Sequence, residues 1–263
     1  MAVAVQPLIY RREGRLIGDF AQPGKKGQNE RLIRVFSAHK DAHAFGALRV
    51  FNDKWGHGLG TDMMSLDRVR GIFREGLVVA VDAADELTVL GAMLVIRRKA
   101  TVPGARELAV PLEELTGKQG DGYYATHVQD GNAFVCHRVA SNGGVAEYIG
   151  KFVLAMSKEL YAGEDRWVGP YSRATSFAET REYMRAHEGE GLGIGEYLRM
   201  GIDPVVHGLH EKKLGGKVLF VVEGGRQGDE VTAEYAPVMQ FWPPLDAHNY
   251  GLILAPSNAN GKN

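Results

Sequence analysis

The chain has 263 residues, of which 44% are hydrophobic and 24% are charged, proportions that are ordinary for a globular protein. Its formal net charge of −1 excludes a general electrostatic attraction to nucleic acid or to an anionic membrane surface. Its single cysteine, Cys136, excludes both an intramolecular disulfide and a zinc site built from several cysteines. The sequence shows neither a leader peptide nor a run approaching the ~20 apolar residues that span a bilayer, so we expect a cytoplasmic protein.

The first sixty residues predict a hairpin followed by a helix. Residues 7–20 read as two short strands around Glu13–Gly14, which has the composition of a tight turn. From Asn29 to about Trp55, apolar residues recur at spacings of three and four, which predicts one long helix with the stripe Val35, Ala38, Ala42, Phe45 and Leu48. A second short helix is predicted after Ser65.

The rest of the chain alternates between strand and helix patterns. Predicted strands are Leu77–Asp82, Leu87–Arg98, Asn132–Ala140, Arg166–Tyr171, Lys217–Glu223 and Tyr250–Ala255, and predicted helices are Gly143–Leu160, Phe177–His187 and Asp203–Leu214. The strand at residues 87–98 is apolar on both faces, which indicates a central position in a covered sheet. This order predicts an α/β protein of the α+β type, in which helices flank both faces of a mixed sheet.

A glycine-rich turn links the strand at residues 132–140 to the helix that follows it. The turn reads Ser141-Asn142-Gly143-Gly144-Val145-Ala146. Free amides at a helix start suit an anionic group such as a pyrophosphate, although a tight connection that binds nothing has the same composition. Gly150-Lys151 fails the P-loop pattern at both ends, and the glycine run at residues 189–195 lacks the dinucleotide spacing, so it is interpreted as a loop.

At this turn the chain resembles the GNAT acyltransferase superfamily. In that family a central strand leads into a [Gln/Arg]-x-x-Gly-x-[Gly/Ala] turn and a long helix; here Gly144 and Ala146 match, and Ser141 replaces the usual Gln or Arg. The segment from Asp203 to Gly216 resembles the family's late helix ending in Leu-Gly, and the stretch after it resembles larger bacterial members. The resemblance covers roughly residues 65–256.

The resemblance implies an acyltransferase that uses acetyl-CoA or another acyl-CoA as donor. The backbone near Val139 and Ala140 would bind the pantetheine arm, and the amides of Asn142, Gly143, Gly144, Val145 and Ala146 would receive the pyrophosphate. The implied reaction is direct attack on the thioester by an amine of a small molecule or a protein. The organisation expected from it is an N-terminal extension at 1–60 packed on a GNAT-like domain at 61–256, with a disordered tail at 257–263.

Catalytic candidates follow from the late helix and the central strand. Many members of the family carry a general acid Tyr in a Tyr-x-x-Leu-Gly arrangement; here Glu211 holds that position and His210 precedes it. A histidine titrates near neutrality, whereas Glu211 would need burial to raise its pKa. His137, on the central strand, is a candidate base, and Tyr171 and Ser172 are candidates for the amine pocket. For each of these residues, packing or surface roles are the competing interpretation.

Histidine pairs give no metal site, and two other functions stay open. His207–His210 and His39–His43 lack a patterned third ligand, so we expect no metal. One alternative is a GNAT-fold sensor that binds acyl-CoA without catalysis. The other is a relative of the long-chain N-acyl amino acid and acyl-homoserine-lactone synthases, which take the acyl group from an acyl carrier protein. No nucleic-acid or membrane partner is expected, and a homodimer is compatible with the sequence.

Overall fold

The computed structural model describes residues 8–24, 30–55, 76–99, 127–131, 133–160, 167–170, 172–189, 191–226, 228–241 and 253–255. The chain divides into two compact units. The first unit contains Met1–Ile96 and Cys136–Glu164, and the second contains Arg97–Val135 and Asp165–Asn263. The helix predicted after Ser65 and the tail predicted to be disordered fall outside the described residues.

The described secondary structure comprises strands, α-helices, a π-helix and one short 3-10 turn at Glu230–Thr232. The strands are β1 Leu8–Arg12, β2 Arg15–Gln22, β3 Arg31–Ser37, β4 Leu77–Asp82, β5 Asp85–Arg98, β6 Ala133–Ser141, β7 Trp167–Pro170, β8 Lys217–Val222, β9 Ala236–Gln240 and β10 Ile253–Ala255. The α-helices are α1 Asp41–Trp55, α2 Ala146–Leu160, α3 Phe177–Glu188 and α4 Ile194–Arg199, and the π-helix is Pro204–Lys213. None of the described helices is long and apolar enough to cross a membrane.

The first unit is built on strands β1 to β6, which lie side by side in chain order. Successive pairs from β1 to β5 are antiparallel. The predicted first hairpin is confirmed, because Glu13 and Gly14 form its turn with φ of 52° and 75°. The predicted strands at residues 77–82, 87–98 and 132–140 are also confirmed as β4, β5 and β6, with ends shifted by one or two residues.

The helix predicted from Asn29 is wrong in its first part, because residues 31–37 form strand β3. Ile33 and Val35 are fully buried on alternate positions, and β3 pairs with β2 on one side and β4 on the other. β-branched residues with a period of two favour a strand, and here the period-two pattern outweighs the spacing of three and four. Helix α1 begins at Asp41, so the first sixty residues supply three strands to the sheet.

Helix α2 lies against β2, β3 and β4. The helix predicted at Gly143–Leu160 is confirmed, and it buries Ile149, Phe152 and Met156 on one face, with Val145 buried directly before it. Two glycines of the sheet allow this close approach: a Cβ on Gly91 would lie 2.6 Å from a Val145 methyl, and a Cβ on Gly18 would lie 3.0 Å from the Phe152 ring. The packing fixes where α2 begins, and with it the position of the glycine turn.

The second unit contains a three-stranded sheet in the order β10-β8-β9, where β8 is parallel to β10 and antiparallel to β9. Two of its elements were not predicted. Helix α4 occupies part of the glycine-rich segment interpreted as a loop, because Ile194, Tyr197 and Leu198 bury one face of that short helix. The sequence pattern does not predict strand β9, because Pro237 interrupts its apolar run.

The predicted helix from Asp203 is present, but it is a π-helix over ten residues. The amide of Gly208 donates to the carbonyl of Asp203 at 3.1 Å, and the amide of Leu214 donates to the carbonyl of Leu209 at 3.1 Å. Such i→i+5 bonding is rare and occurs mostly as single turns near functional sites. A propensity argument cannot distinguish it from an α-helix, because both periods place apolar residues on one face.

Candidate functional site

The glycine turn between β6 and α2 has the backbone geometry that only glycine adopts freely. Gly143 and Gly144 have φ of 72° and 79°, and α2 starts directly after Val145. The amide of Asn142 donates to the carbonyl of Leu90 at 2.7 Å, so this N–H is already occupied within the sheet. The remaining predicted anion donors of the turn are the amides of Gly143, Gly144, Val145 and Ala146.

A guanidinium group lies against this turn. Arg31, at the start of β3, donates from Nε to Oε1 of Gln22 at 2.6 Å, and Gln22 in turn donates from Nε2 to the carbonyl of Gly143 at 2.8 Å. A Cβ added to Gly143 would lie 2.8 Å from a terminal nitrogen of Arg31. The turn therefore combines a helix start with a nearby positive charge, although position 141 carries Ser rather than the Gln or Arg of the family pattern.

The second unit brings together a buried hydroxyl and a buried imidazole. Oγ of Ser172 lies 2.9 Å from Nδ1 of His210, and the two side chains are 1% and 7% exposed. Ser172 follows β7 and His210 lies on the π-helix, so the pair joins residues 38 positions apart in sequence. A serine hydroxyl hydrogen-bonded to an imidazole is an arrangement that supports proton transfer and nucleophilic chemistry.

The backbone of Ser172 is fixed on both sides. Its amide donates to the carbonyl of Pro237 at 2.7 Å, and its own carbonyl accepts from Nε of Arg226 at 3.1 Å. The next residue, Arg173, forms a bidentate ion pair with the buried carboxylate of Asp229, with both bonds at 2.8 Å. These contacts hold the hydroxyl in one place and leave little conformational entropy to be lost when a substrate binds.

Burial lowers the pKa of His210 to about 4, so the imidazole is neutral near pH 7. Two charged groups modify this effect: the Asp203 carboxylate favours the protonated ring, and the Arg226 guanidinium disfavours it. The ring of Phe241 meets the imidazole edge to face, with centroids 5.7 Å apart. A neutral imidazole can accept a proton at one nitrogen and donate at the other, which is what acid–base chemistry requires.

The helix that carries His210 begins at a fully buried aspartate. Oδ1 of Asp203 accepts from the amides of Val205 and Val206 at 2.9 and 2.8 Å. Oδ2 accepts from the Tyr197 hydroxyl at 2.9 Å and from the Ser176 amide at 3.3 Å. Burial and the neighbouring carboxylate raise the pKa of Tyr197, so this hydroxyl stays a donor to Asp203.

The other predicted catalytic residues have different surroundings. Glu211 is partly exposed, and its Oε2 lies 3.8 Å from Nε2 of His207. The Nδ1 atom of His207 is buried and has no partner among the described residues. His137 belongs to β6, but its side chain lies outside the described residues, as does all of Tyr171. The structure thus brings His210 together with Ser172 and places Glu211 next to His207.

Neither Cys136 nor the described cavity adds a reactive centre. Burial raises the pKa of the Cys136 thiol to about 12, so the group stays protonated and unreactive near neutral pH. A cavity of about 330 Å³ lies in the first unit beside the β1–β2 turn and is lined by residues that include Arg15, Ser37 and His39. None of the predicted site residues lines it.

Sequence reasoning proposed Ser172 and His210 separately but missed their pairing. It also missed Asp203 and Arg226, which act on the pair through the helix start and through charge. One signal was available for Asp203, since Asp followed by Pro at the first helical position is typical of a helix start. No sequence signal marks Arg226, because its relevance depends on the chain fold that brings it to the Ser172 carbonyl.

No family model matches the chain, and no curated protein matches it. Solved structures do match. A GNAT-like decarboxylase, GphF, in complex with isobutyryl-CoA is 21% identical, with a TM-score of 0.58 over 80% of this chain and 98% of that one. The loading GNATL domain of CurA from Lyngbya majuscula is 14% identical, with a TM-score of 0.54 over 80% and 97%. A malonyl-CoA decarboxylase from Rhodopseudomonas palustris is 10% identical, with a TM-score of 0.51 over 73% and 53%.

These likenesses show a GNAT-like fold. They confirm the predicted α+β class with its mixed sheet and the GNAT-like fold that the resemblance implied. At such low identity the likeness concerns the fold, and chemistry has to be argued from the residues of this chain.

Proposed function

We propose that this chain is an enzyme acting on acyl-CoA thioesters, and that it releases carbon dioxide from an α-carboxyacyl group of the malonyl type. The observation that carries the proposal is the buried pair Ser172–His210, with Oγ and Nδ1 2.9 Å apart. A GNAT-like decarboxylase in complex with isobutyryl-CoA and a malonyl-CoA decarboxylase have the same fold, which makes this reaction class the first to test.

The proposed reaction breaks the bond between Cα and the carboxylate. The carboxylate leaves as carbon dioxide, and its electron pair moves into the thioester, where it forms an enolate with negative charge on the carbonyl oxygen. A proton is then added at Cα, which yields the shortened acyl-CoA. Catalysis therefore needs a donor that stabilises the enolate oxygen and a source of one proton.

Ser172 and His210 supply both requirements. With the proton of His210 on Nδ1, the imidazole donates to Oγ of Ser172, and the serine hydroxyl is left to donate to the enolate oxygen. The serine then passes its proton to Cα. Its oxygen takes the Nδ1 proton of His210 while Nε2 of the ring takes one from solvent, so the imidazole ends neutral and the one proton consumed comes from water. The low pKa of His210, about 4, keeps the ring neutral near pH 7, which suits this shuttle because a buried charge is avoided before the enolate forms.

Coenzyme binding is assigned to the glycine turn of the first unit. The amides from Gly143 to Ala146 and the guanidinium of Arg31 would receive the pyrophosphate, and the β6 backbone at Val139 and Ala140 would bind the pantetheine arm. Gly143 fits this role, since its φ of 72° lets the backbone approach an anion closely.

Acyl transfer to an amine is the second candidate function. Its supporting observation is the same neutral imidazole, because His210 can take the proton that an attacking ammonium must lose. In that reaction Ser172 would contact the amine, and His210 rather than Glu211 would be the base, since Glu211 is partly exposed and faces His207. If an acyl carrier protein were the donor, product would form from its thioester and not from acyl-CoA. If the chain only bound acyl-CoA, no product would form from any donor.

Product analysis distinguishes these functions. Purified protein is incubated with malonyl-CoA, methylmalonyl-CoA or acetyl-CoA, with and without a mixture of amines, and the products are identified by mass spectrometry. If the chain is a decarboxylase, it forms acetyl-CoA from malonyl-CoA or propionyl-CoA from methylmalonyl-CoA without any amine, and Ser172→Ala forms the same product far more slowly. Free coenzyme A that appears only with an amine would instead support acyl transfer, and an unchanged substrate in every arm would contradict both.

A further inference from the structure

The carboxylate of Asp203 has contacts that its role as a helix cap does not require. Oδ1 satisfies the first amides of the π-helix, at Val205 and Val206, which is a sufficient cap. Oδ2 additionally accepts from the Tyr197 hydroxyl and from the Ser176 amide, while the Asp203 carbonyl accepts from the amides of His207 and Gly208. One fully buried residue thus fixes the start of the helix to both α4 and the segment that follows Ser172.

The carbonyl of Asp203 is also where the π-helical bonding begins. It accepts from His207 at 3.0 Å and from Gly208 at 3.1 Å, so the first turn is shared between an i→i+4 and an i→i+5 bond. The direction in which a side chain leaves a helix depends on the number of residues per turn, and this number differs between a π-helix and an α-helix. The wide turn that starts at Asp203 therefore sets the direction from which His210 meets Oγ of Ser172 at 2.9 Å.

From these contacts we propose that Asp203 is a positioning residue for His210: it sets both the direction of the imidazole and, through its buried charge, the proton that the imidazole holds. The inference rests on the proposed function for its catalytic consequence. The geometric part stands on the contacts of Asp203 alone.

The effect of Asp203 on the protonation of His210 depends on the charged groups around the ring. Asp203 at the start of the π-helix favours the protonated ring, and Arg226, which donates to the Ser172 carbonyl, opposes it. Among the residues that the structure describes, the Ser172 hydroxyl and the Phe241 ring also contact the imidazole, and neither carries a charge. His207 and Glu211 lie on the same helix and face each other. Removal of the Asp203 charge leaves Arg226 unopposed and lowers the pKa of His210 further.

The test compares Asp203→Asn with Tyr197→Phe in the full chain. Asp203→Asn keeps an oxygen for the amides of Val205 and Val206 and removes the charge. Tyr197→Phe removes one hydrogen bond to Oδ2 and leaves the cap and the charge in place. The first readout is the ¹⁵N shifts and tautomer of the His210 ring, assigned by comparison with His210→Gln. The second is kcat and KM for malonyl-CoA across pH 4–8.

We expect Asp203→Asn to change the His210 tautomer and to lower kcat by about 10- to 100-fold with KM nearly unchanged. Its amide nitrogen cannot accept from the Tyr197 hydroxyl or the Ser176 amide, so the helix start shifts, and misplacement of a catalytic group acts on the chemical step. The acid limb of its pH profile moves to lower pH. Tyr197→Phe removes one of these contacts but keeps the charge and the cap, so it should keep the native tautomer and lower kcat much less than Asp203→Asn. If Asp203→Asn does not fold, Asp203→Ser replaces it, because Ser is also a preferred helix cap.

Equal His210 spectra in Asp203→Asn and the unmodified chain would overturn the inference, as would an equal loss of kcat in both variants. The spectra also distinguish this failure from that of the proposed function. If the unmodified protein releases no carbon dioxide, the tautomer still reports whether Asp203 positions His210.

Discussion

The two units of the molecule differ in what they bury. Among the described residues, nine polar or charged side chains are buried; three of them, His43, Arg138 and Ser157, belong to the first unit. The other six belong to the second unit: Ser172, Asp203, His207, His210, Asp229 and Thr232. Burial of a polar group costs free energy unless its partners are arranged for it, so the second unit depends more on specific polar partners than the first.

The first unit has the opposite character, since its interior is the apolar contact between α2 and the sheet. Ile149, Phe152 and Val153 are almost fully buried there. Its polar feature, the glycine turn with Arg31, lies at the surface of that layer, where a ligand can reach it. The first unit thus offers backbone geometry at its surface, and the second offers polar side chains in its interior.

Removal of either member of the buried pair is expected to give the largest effect on activity. Ser172→Ala and His210→Gln should each lower kcat for malonyl-CoA by about 10²- to 10⁴-fold, the range for loss of a general acid or base. Glu211→Gln is the matched control, because its carboxylate faces His207 rather than the pair. Similar losses in Glu211→Gln and His210→Gln would show that the buried pair has no special role.

The apolar core of the first unit predicts a large effect on stability without a specific effect on chemistry. Phe152→Ala should lower the free energy of unfolding by about 3–5 kcal/mol, because it leaves a cavity between α2 and the sheet. Phe45→Ala, at a side chain that is 54% exposed, should change it by less than about 0.5 kcal/mol. Urea unfolding at pH 7 measures both, and comparable values would contradict the assigned core.

The buried imidazole makes the stability of the second unit depend on pH. The pKa of His210 in the folded chain, about 4, lies below its unfolded value of ~6.5, so the unfolded chain binds the proton first. The contribution to stability is therefore complete above the unfolded pKa and is lost as pH falls towards the folded pKa. Between pH 7 and pH 5 the loss due to His210 should be about 2 kcal/mol.

Urea unfolding of the unmodified chain and of His210→Gln at both pH values measures this contribution. The variant should lose about 2 kcal/mol less than the unmodified chain on going from pH 7 to pH 5. An identical pH dependence in the two proteins would mean that the imidazole titrates normally in the folded state.

The glycine turn gives the smallest expected effect on stability and a specific effect on binding. Gly143→Ala should destabilise the chain by about 1–2 kcal/mol, because its φ of 72° is left-handed and a Cβ would meet Arg31. It should also raise the Kd for acyl-CoA, measured by calorimetry. Gly191→Ala is the control, since a Cβ there has open space; equal affinities in the two variants would count against coenzyme binding at the turn.

The sequence predicted the first unit better than the second for a physical reason. The elements β4, β5, β6 and α2 have apolar patterns with a clear period, and their burial follows from that period. Strand β3 was misread because its residues fit both periods, and only the partners β2 and β4 settle the choice.

In the second unit the decisive features are long-range contacts. The pair Ser172–His210 joins residues 38 positions apart, and the π-helix differs from an α-helix only in its hydrogen bonds. Helix α4 was not predicted because its segment is rich in glycine, and β9 was not predicted because it contains a proline. The sequence therefore indicated which residue types could react, while their assembly around Asp203 and Arg226 required the fold.

The most direct test of the account is the reaction of carboxyl-labelled [¹³C]malonyl-CoA in D₂O, with the unmodified chain and with Ser172→Ala. We expect labelled carbon dioxide and acetyl-CoA that carries one solvent deuteron at Cα, and at least about 100-fold slower formation of both products with Ser172→Ala. Malonyl-CoA recovered intact with the unmodified chain, or labelled carbon dioxide released equally by Ser172→Ala, would contradict the claim that Ser172 and His210 catalyse decarboxylation.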